Sequence, residues 1–291
     1  MNLSIIVPNH NDLRMLDMIS SIDYFSDNSR IVEIIIILNN PTKELVEQCV
    51  FIQKKYKKFC IKVLNECYQN LGYLYNVGIK NAQFDNILFL DSDVVCENGA
   101  IEQLISDLES NKHNMLAKAE LVYKKSNNLA EKSRLCNTTK DVPPYIPVIL
   151  IKKDIFKHFK DDFVFAVDTV WCSDAEFANR VLNENIQFIY SKARFYHDKI
   201  SLKKDIKDAM LYGFGKGIRI KRTKEYWSPI KEISDMNRKT LDNGLTLIER
   251  LYCIFWVVLQ QISCGFQLIS PILFKDSLDF KKTMKRDELF Y

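Results

Sequence analysis

The run Val32-Glu33-Ile34-Ile35-Ile36-Ile37-Leu38 limits the possible folds more than any other part of this chain. It is too short for a typical helix, and Cβ branching favours an extended backbone. An apolar run without alternation is a strand buried on both faces. Leu3-Ser4-Ile5-Ile6-Val7, stopped by Pro8, reads the same way, as do Ile61-Lys62-Val63-Leu64 and Ile87-Leu88-Phe89-Leu90. Between them the spacing predicts helices. Leu13, Leu16, Ile19, Ile22 and Phe25 recur at helical intervals, Pro41 or Thr42 opens a helix through Tyr56, and Leu71 to Ala82 forms another. Buried strands alternating with helices make an α/β fold: a Rossmann-like, mainly parallel sheet with helices on both faces.

Downstream the expected order is a helix from Ala100 to Ser110, a strand over 116–123, a polar loop over 124–145, and a strand from Ile146 to Ile151. The loop is long enough to be functional. A helix from Ser173 to Asn183 and a short strand Phe188-Ile189-Tyr190 follow. Residues 1–200 are expected to form the main domain and 201–291 a basic, then apolar, helical region. Lys and Arg crowd 199–224, whereas Leu251 to Phe274 carries no charge. A helix of that length can cross a bilayer core of roughly 30 Å. Gln260, Gln261, Gly265, Gln267 and Pro271 interrupt it. Contact with a membrane interface, packing against the main domain or a second subunit, and a true span all remain open.

The 291 residues carry a net charge of +4, too mild to argue for nucleic acid. Eight scattered cysteines include no Cys-X-X-Cys pair, so neither a zinc site nor a disulfide framework is read. The chain opens on a strand without a signal-like segment, and a cytoplasmic location is expected.

Asp91-Ser92-Asp93 stands at the end of the fourth strand. Two carboxylates one residue apart in a turn offer hard oxygen ligands to Mg²⁺ or Mn²⁺. Such residues are also ordinary in turns, so the company they keep decides. In open α/β sheets ligands sit beyond the carboxyl ends of the strands, where Pro8-Asn9-His10 and Asn39-Asn40 also fall. Tyr212-Gly213-Phe214-Gly215-Lys216-Gly217-Ile218-Arg219 lacks the preceding strand and the Lys-Ser/Thr of a phosphate loop. It reads as a basic helix packed closely at Gly213 and Gly217, with Lys216, Arg219, Lys221 and Arg222 available to phosphate.

Five ordered pieces resemble an inverting family 2 glycosyltransferase of the GT-A fold, over roughly residues 3–200. They are Ser4-Ile5-Ile6-Val7-Pro8-Asn9-His10-Asn11; Asn70-Leu71-Gly72 with Tyr75-Asn76-Val77-Gly78-Ile79; Leu90-Asp91-Ser92-Asp93; Ser173-Asp174-Ala175-Glu176-Phe177 with Arg180; and Phe195-Tyr196-His197. The resemblance implies transfer of a hexose-type sugar from a nucleotide donor to a glycan or lipid-linked acceptor, as in cell-surface polysaccharide synthesis. Asp93 would bind Mn²⁺ or Mg²⁺, Asp91 would join the metal group or contact the ribose, and His197 would complete the metal shell or bond the diphosphate. Pro8, Asn9, His10, Asn39 and Asn76 would line the nucleotide. Asn39 stands where relatives usually have Asp, which leaves UDP favoured rather than fixed. Asp174 would be the catalytic base, with Glu176 as the alternative.

The chemistry needs such groups. Breaking a sugar–diphosphate bond develops negative charge that a cation offsets, and the acceptor hydroxyl must lose its proton to a carboxylate. Plainer roles stand beside these: Asp174 as a first-turn acid, His197 as a surface His beside Asp198, and His10 and the Asn-rich turns as capping devices. Two rival functions are a sugar-nucleotide nucleotidyltransferase, which wants a Gly-rich basic loop after the first strand, and a non-catalytic binding or assembly protein of the same fold. The implied partners are the donor, the acceptor, and a membrane surface on the inner face of the cell membrane or a second copy of the chain.

Overall fold

Side-chain parity along the first two strands builds the core. In β1 (Leu3–Asn9), Ile5 and Val7 face one side of the sheet and Ile6 the other. In β2 (Ile31–Asn39), Ile34, Ile36 and Leu38 join the first side, while Ile35 and Ile37 join the second. Helices cover both sides, which is why these strands lack polar alternation. The computed structural model describes residues 2–25, 31–124, 128–137, 143–169, 171–270 and 284–290. Parts of the expected 124–145 loop and residues 271–274 of the apolar stretch lie outside the described residues.

On the first side pack α1 (Met15–Phe25), α2 (Lys43–Lys55) and α4 (Ala100–Glu109); on the second pack α3 (Leu71–Asn81) and α6 (Ser173–Asn183). The remaining strands are β3 (Cys60–Glu66), β4 (Asn86–Phe89), β5 (Val94–Cys96), β6 (Leu116–Tyr123), β7 (Ile149–Lys152) and β8 (Phe188–His197). Their order is β3-β2-β1-β4-β7-β6-β8-β5. The first four are mutually parallel, and β7 and β5 run antiparallel to their neighbours.

Three sequence expectations change, and one strand was not foreseen. The strand expected from Ile146 begins at Ile149, because Pro147 lacks an N–H and Val148 takes a positive φ of 62°. The short strand at 188–190 runs on to His197: Ser191, Ala193 and Phe195 point inward between exposed Lys192 and Arg194, so its apolar face is broken up by small residues. Three-residue β5 is too short to leave a periodic signal. The loop after residue 124 contains a helix, α5 (Ala130–Asn137).

Beyond Ile200 come α7 (Leu202–Thr223), α8 (Pro229–Asp242) and α9 (Leu247–Ile269). Buried Asp205 on α7 ties three helices together. It accepts from Ser133 Oγ at 2.8 Å, Arg134 Nε at 2.9 Å and Tyr252 Oη at 2.7 Å. The glycines of α7 are needed for contact: a Cβ at Gly213 would meet the Gln260 carbonyl at 2.2 Å, and one at Gly217 the Cys264 carbonyl at 2.9 Å. The apolar helix is thus half-buried against α7, leaving Leu251, Phe255, Ile262, Phe266 and Ile269 exposed. Residues 284–290 return to the second face of the sheet, where Met284 and Leu289 are buried.

Because that approach leaves no room for a methyl group, Gly213→Ala is expected to destabilise the protein by about 1–3 kcal/mol, measured by chemical denaturation.

Candidate active site

The carboxyl ends of β1, β2 and β4 deliver three turns to one edge of the sheet. After β4 the chain gives Asp91-Ser92-Asp93 and enters β5, whose Val94 pairs with His197 at the end of β8. That register brings the imidazole to Asp93 across a hundred residues of sequence. Ligand atoms of Asp91, Asp93 and His197 all lie within 4.8 Å of one another. His197 Nδ1 is 2.8 Å from the Asp198 carbonyl, which can only accept, so Nδ1 carries the hydrogen and Nε2 keeps its lone pair. Burial lowers the His197 pKa, favouring this neutral form over the pull of Asp93. The Tyr123 ring lies against the imidazole at 4.8 Å. Nε2 therefore faces Asp93 Oδ1 at 3.4 Å as one electron-pair donor opposite another. A divalent cation suits such a pair.

Asp174 lies in the first turn of α6 and accepts from the Ala175 N–H at 2.8 Å. Burial pushes its carboxyl up to about 6, against backbone hydrogen bonds and the positive charge of Lys118. Burial likewise pushes Asp91 up to about 7, and the negative charges of Asp93 and Asp174 add to the effect. Lys118 on β6 feels both Asp91 and Asp174, while burial brings it down to about 8. Its Nζ donates to the Pro147 carbonyl at 2.5 Å. The edge thus holds a cation-seeking group next to a carboxylate that is largely ionised at neutral pH.

Comparison with known proteins gives the family and the fold. The model of the family described as "Glycosyl transferase family 2" matches residues 4–149, half of the chain. The chain belongs to glycosyl transferase family 2. Among solved structures it resembles S. aureus TarS 1-349, with TM-score 0.55 and 13% identity, covering 95% of this chain and 77% of that one. TarS 1-349 in complex with UDP-GlcNAc gives TM-score 0.53 and 15% identity over 96% of this chain and 78% of that one. A longer TarS structure gives TM-score 0.53 and 13% identity; the match covers 92% of this chain and 55% of that one. At such identities the likeness shows the fold alone. No curated protein sequence matches the chain.

The other expected nucleotide-site residues of this glycosyltransferase divide into two groups. Pro8 and Asn9 end β1 at the same edge as His10 and Asn39. His10 Nδ1 lies 3.1 Å from the Asn39 carbonyl, and Asn39 Nδ2 donates to the Tyr68 carbonyl at 2.9 Å. Asn9 is buried and closes its own turn, donating to the Asp12 carbonyl and accepting from the Asp12 N–H, both at 2.8 Å. Its side chain therefore shapes the turn.

Asn76, expected to line the nucleotide, is buried on α3, donates to the Phe165 carbonyl at 3.0 Å and accepts the Phe165 N–H at 2.9 Å. Asn70 donates to the Val167 carbonyl at 2.6 Å, and a Cβ at Gly72 would strike the Ala166 carbonyl at 2.3 Å. The Asn-X-Gly motif of α3 is a cradle for the segment that leads into α6 and Asp174.

Glu176, the alternative base, is buried between Arg180 Nε at 2.9 Å and Arg222 Nη2 at 3.0 Å. A carboxylate held by two guanidinium groups is neutralised in place, whereas Asp174 has no such pairing among the described residues. The basic helix is committed as well. Lys216 pairs with Glu232, Arg219 with Glu225, and Arg222 with Asp168, while Lys221 bonds the Gln267 carbonyl.

Sequence reasoning missed Lys118 and Arg14. A lysine inside the otherwise apolar strand Leu116-Ala117-Lys118-Ala119 was a readable signal, because burying an ammonium is costly without nearby negative charge. Arg14 had no such signal; beyond neighbouring Asp12, its partners Asp93 and Asp198 come from two distant segments.

Asn76→Ala would leave the buried Phe165 N–H and carbonyl unpaired, an expected cost of about 1–3 kcal/mol in chemical denaturation. Nucleotide affinity of the folded fraction should stay within about twofold by calorimetry, since a factor of two corresponds to less than ~0.5 kcal/mol of binding free energy.

Proposed function

We propose that this enzyme is a metal-dependent, inverting transferase that moves a hexose-type sugar from a UDP-linked donor to a hydroxyl of a glycan or lipid-linked acceptor. The observation that carries it is the Asp93–His197 pair of lone pairs beside Asp91, electrostatically linked to Asp174 in the first turn of α6. Asp91, Asp93 and His197 would hold Mn²⁺ or Mg²⁺. When bound, such an ion offsets the negative charge that develops on a departing diphosphate. The crystal structure of TarS with UDP-GlcNAc, a protein of the same fold, supports a UDP donor.

The protein's own residues supply the rest. Asp174 takes the proton of the acceptor hydroxyl as the new glycosidic bond forms, while the donor diphosphate leaves with its electron pair on the opposite side of the sugar. Lys118 favours the ionised form of Asp174. The β1 turn, closed by Asn9 and linked through His10 to Asn39, would receive the base. The exposed face of α9 supports attachment on the cytoplasmic side of a membrane, where lipid-linked acceptors reside.

Two variants test the site in Mn²⁺ with a panel of UDP-sugars. Asp174→Asn is expected to lower transfer about 10²–10⁴-fold, and Asp93→Ala to abolish metal-stimulated transfer; full activity in both would refute the assignment. Ionised Asp174 is the active form and its pKa is raised to about 6, so kcat/KM should fall as pH drops through that value. No acidic limb within roughly one pH unit of that value would remove Asp174 as the base. For attachment, wild type should sediment with anionic vesicles and the Ile262→Glu/Phe266→Glu variant should remain in solution. Equal sedimentation would rule out this face.

A further inference from the structure

We propose that Arg14 is a positioning residue for the divalent cation: it holds Asp93 by one carboxylate oxygen so that the other faces His197. The inference rests on the metal-dependent reading above and adds a residue that reading does not use.

Arg14 lies just before α1, in the turn after β1. Its Nη2 is 3.0 Å from Asp93 Oδ2, while Oδ1 of the same carboxylate faces His197 Nε2 at 3.4 Å. The two oxygens are therefore divided between guanidinium and metal site. Asp12 anchors the guanidinium, accepting from Nε at 2.8 Å and from Nη2 at 2.5 Å. The third nitrogen, Nη1, donates to Asp198 Oδ2 at 3.0 Å. Asp198 in turn touches both proposed ligands through its backbone: its N–H donates to the Asp93 carbonyl at 3.2 Å, and its carbonyl accepts from His197 Nδ1. Arg14, Asp93, His197 and Asp198 thus form a closed circuit, and a carboxylate whose terminal torsion is otherwise soft is held in one orientation.

A guanidinium next to a cation site also repels the cation, so the sign needs a decision. The single positive charge of Arg14 is shared among the carboxylates of Asp12, Asp93 and Asp198. Counting also Lys124, 3.7 Å from Asp198, the three carboxylates still outnumber the two cations paired with them, and orientation of Asp93 is the larger effect. A planar fork reaches all three carboxylates, which a lysine ammonium cannot do in this geometry.

The test is calorimetric titration of Mn²⁺ into the full chain without nucleotide, comparing wild type with Arg14→Gln, Arg14→Lys and Asp198→Asn. Arg14→Gln is expected to weaken Mn²⁺ binding about 10–100-fold. Arg14→Lys should recover part of the loss, and Asp198→Asn should weaken binding less, in the same direction. Thermal midpoints in EDTA verify folding; if Arg14→Gln fails that check, Asp198→Asn decides by the same criterion. Unchanged or tighter Mn²⁺ binding in the decisive variant overturns the role of Arg14 while leaving the metal site standing. A wild type that binds no Mn²⁺ overturns both.

Discussion

Negative charge crowded at the carboxyl edge of the sheet is the constraint on which the site depends. Asp91, Asp93 and Asp174 reach it from two turns, and burial disfavours charge on Asp91 and Asp174 in the absence of compensation. Lys204 and Lys118 offset part of that cost on Asp91, Lys118 offsets part of it on Asp174, and Arg14 pairs with Asp93. His197 adds an electron pair rather than a positive charge, because burial keeps it neutral. What remains is an excess of lone pairs over protons, a chemical setting that favours a hard divalent ion.

Close backbone contact is the second requirement. Asn70, Gly72 and Asn76 on α3 grip the segment 165–167 by its peptide groups, so α6 begins at a defined place and presents Asp174 to the site edge. Arg180 and Arg222 then fix the other side of α6 through Glu176. Arg222 belongs to α7, and α7 meets α9 across bare glycines, so the C-terminal helices help to brace the helix that carries Asp174. The apolar character of α9 thereby has two sources: one face packs on α7, and the other faces outward.

Much of this was legible beforehand. The buried strands announced themselves by unbroken apolar runs, and helices α1 to α4 by spacing and caps, with Thr42 and Asn70 capping as their residue types suggest. Asp91, Asp93 and His197 were recognisable as a group through the family's motif order. Less legible was any residue whose role depends on distant neighbours. Asn76 carries the same amide whether it binds a nucleotide or a peptide group, and Glu176 reads as a free acid until Arg222 arrives from α7. Strand β8 escaped because alternation with Ser191 and Ala193 carries a weak hydrophobic signal.

Residue order alone set the α/β layering, the polar turns at the strand ends and the family, because periodicity, capping and motif order are local properties of the chain. Tertiary structure alone decided which acids share a field, which are neutralised by arginine, and which way an imidazole points. Those outcomes depend on distances between segments as far apart as Arg14, Asp93 and Asp198. Electrostatic energy varies with separation and burial, neither of which residue order specifies.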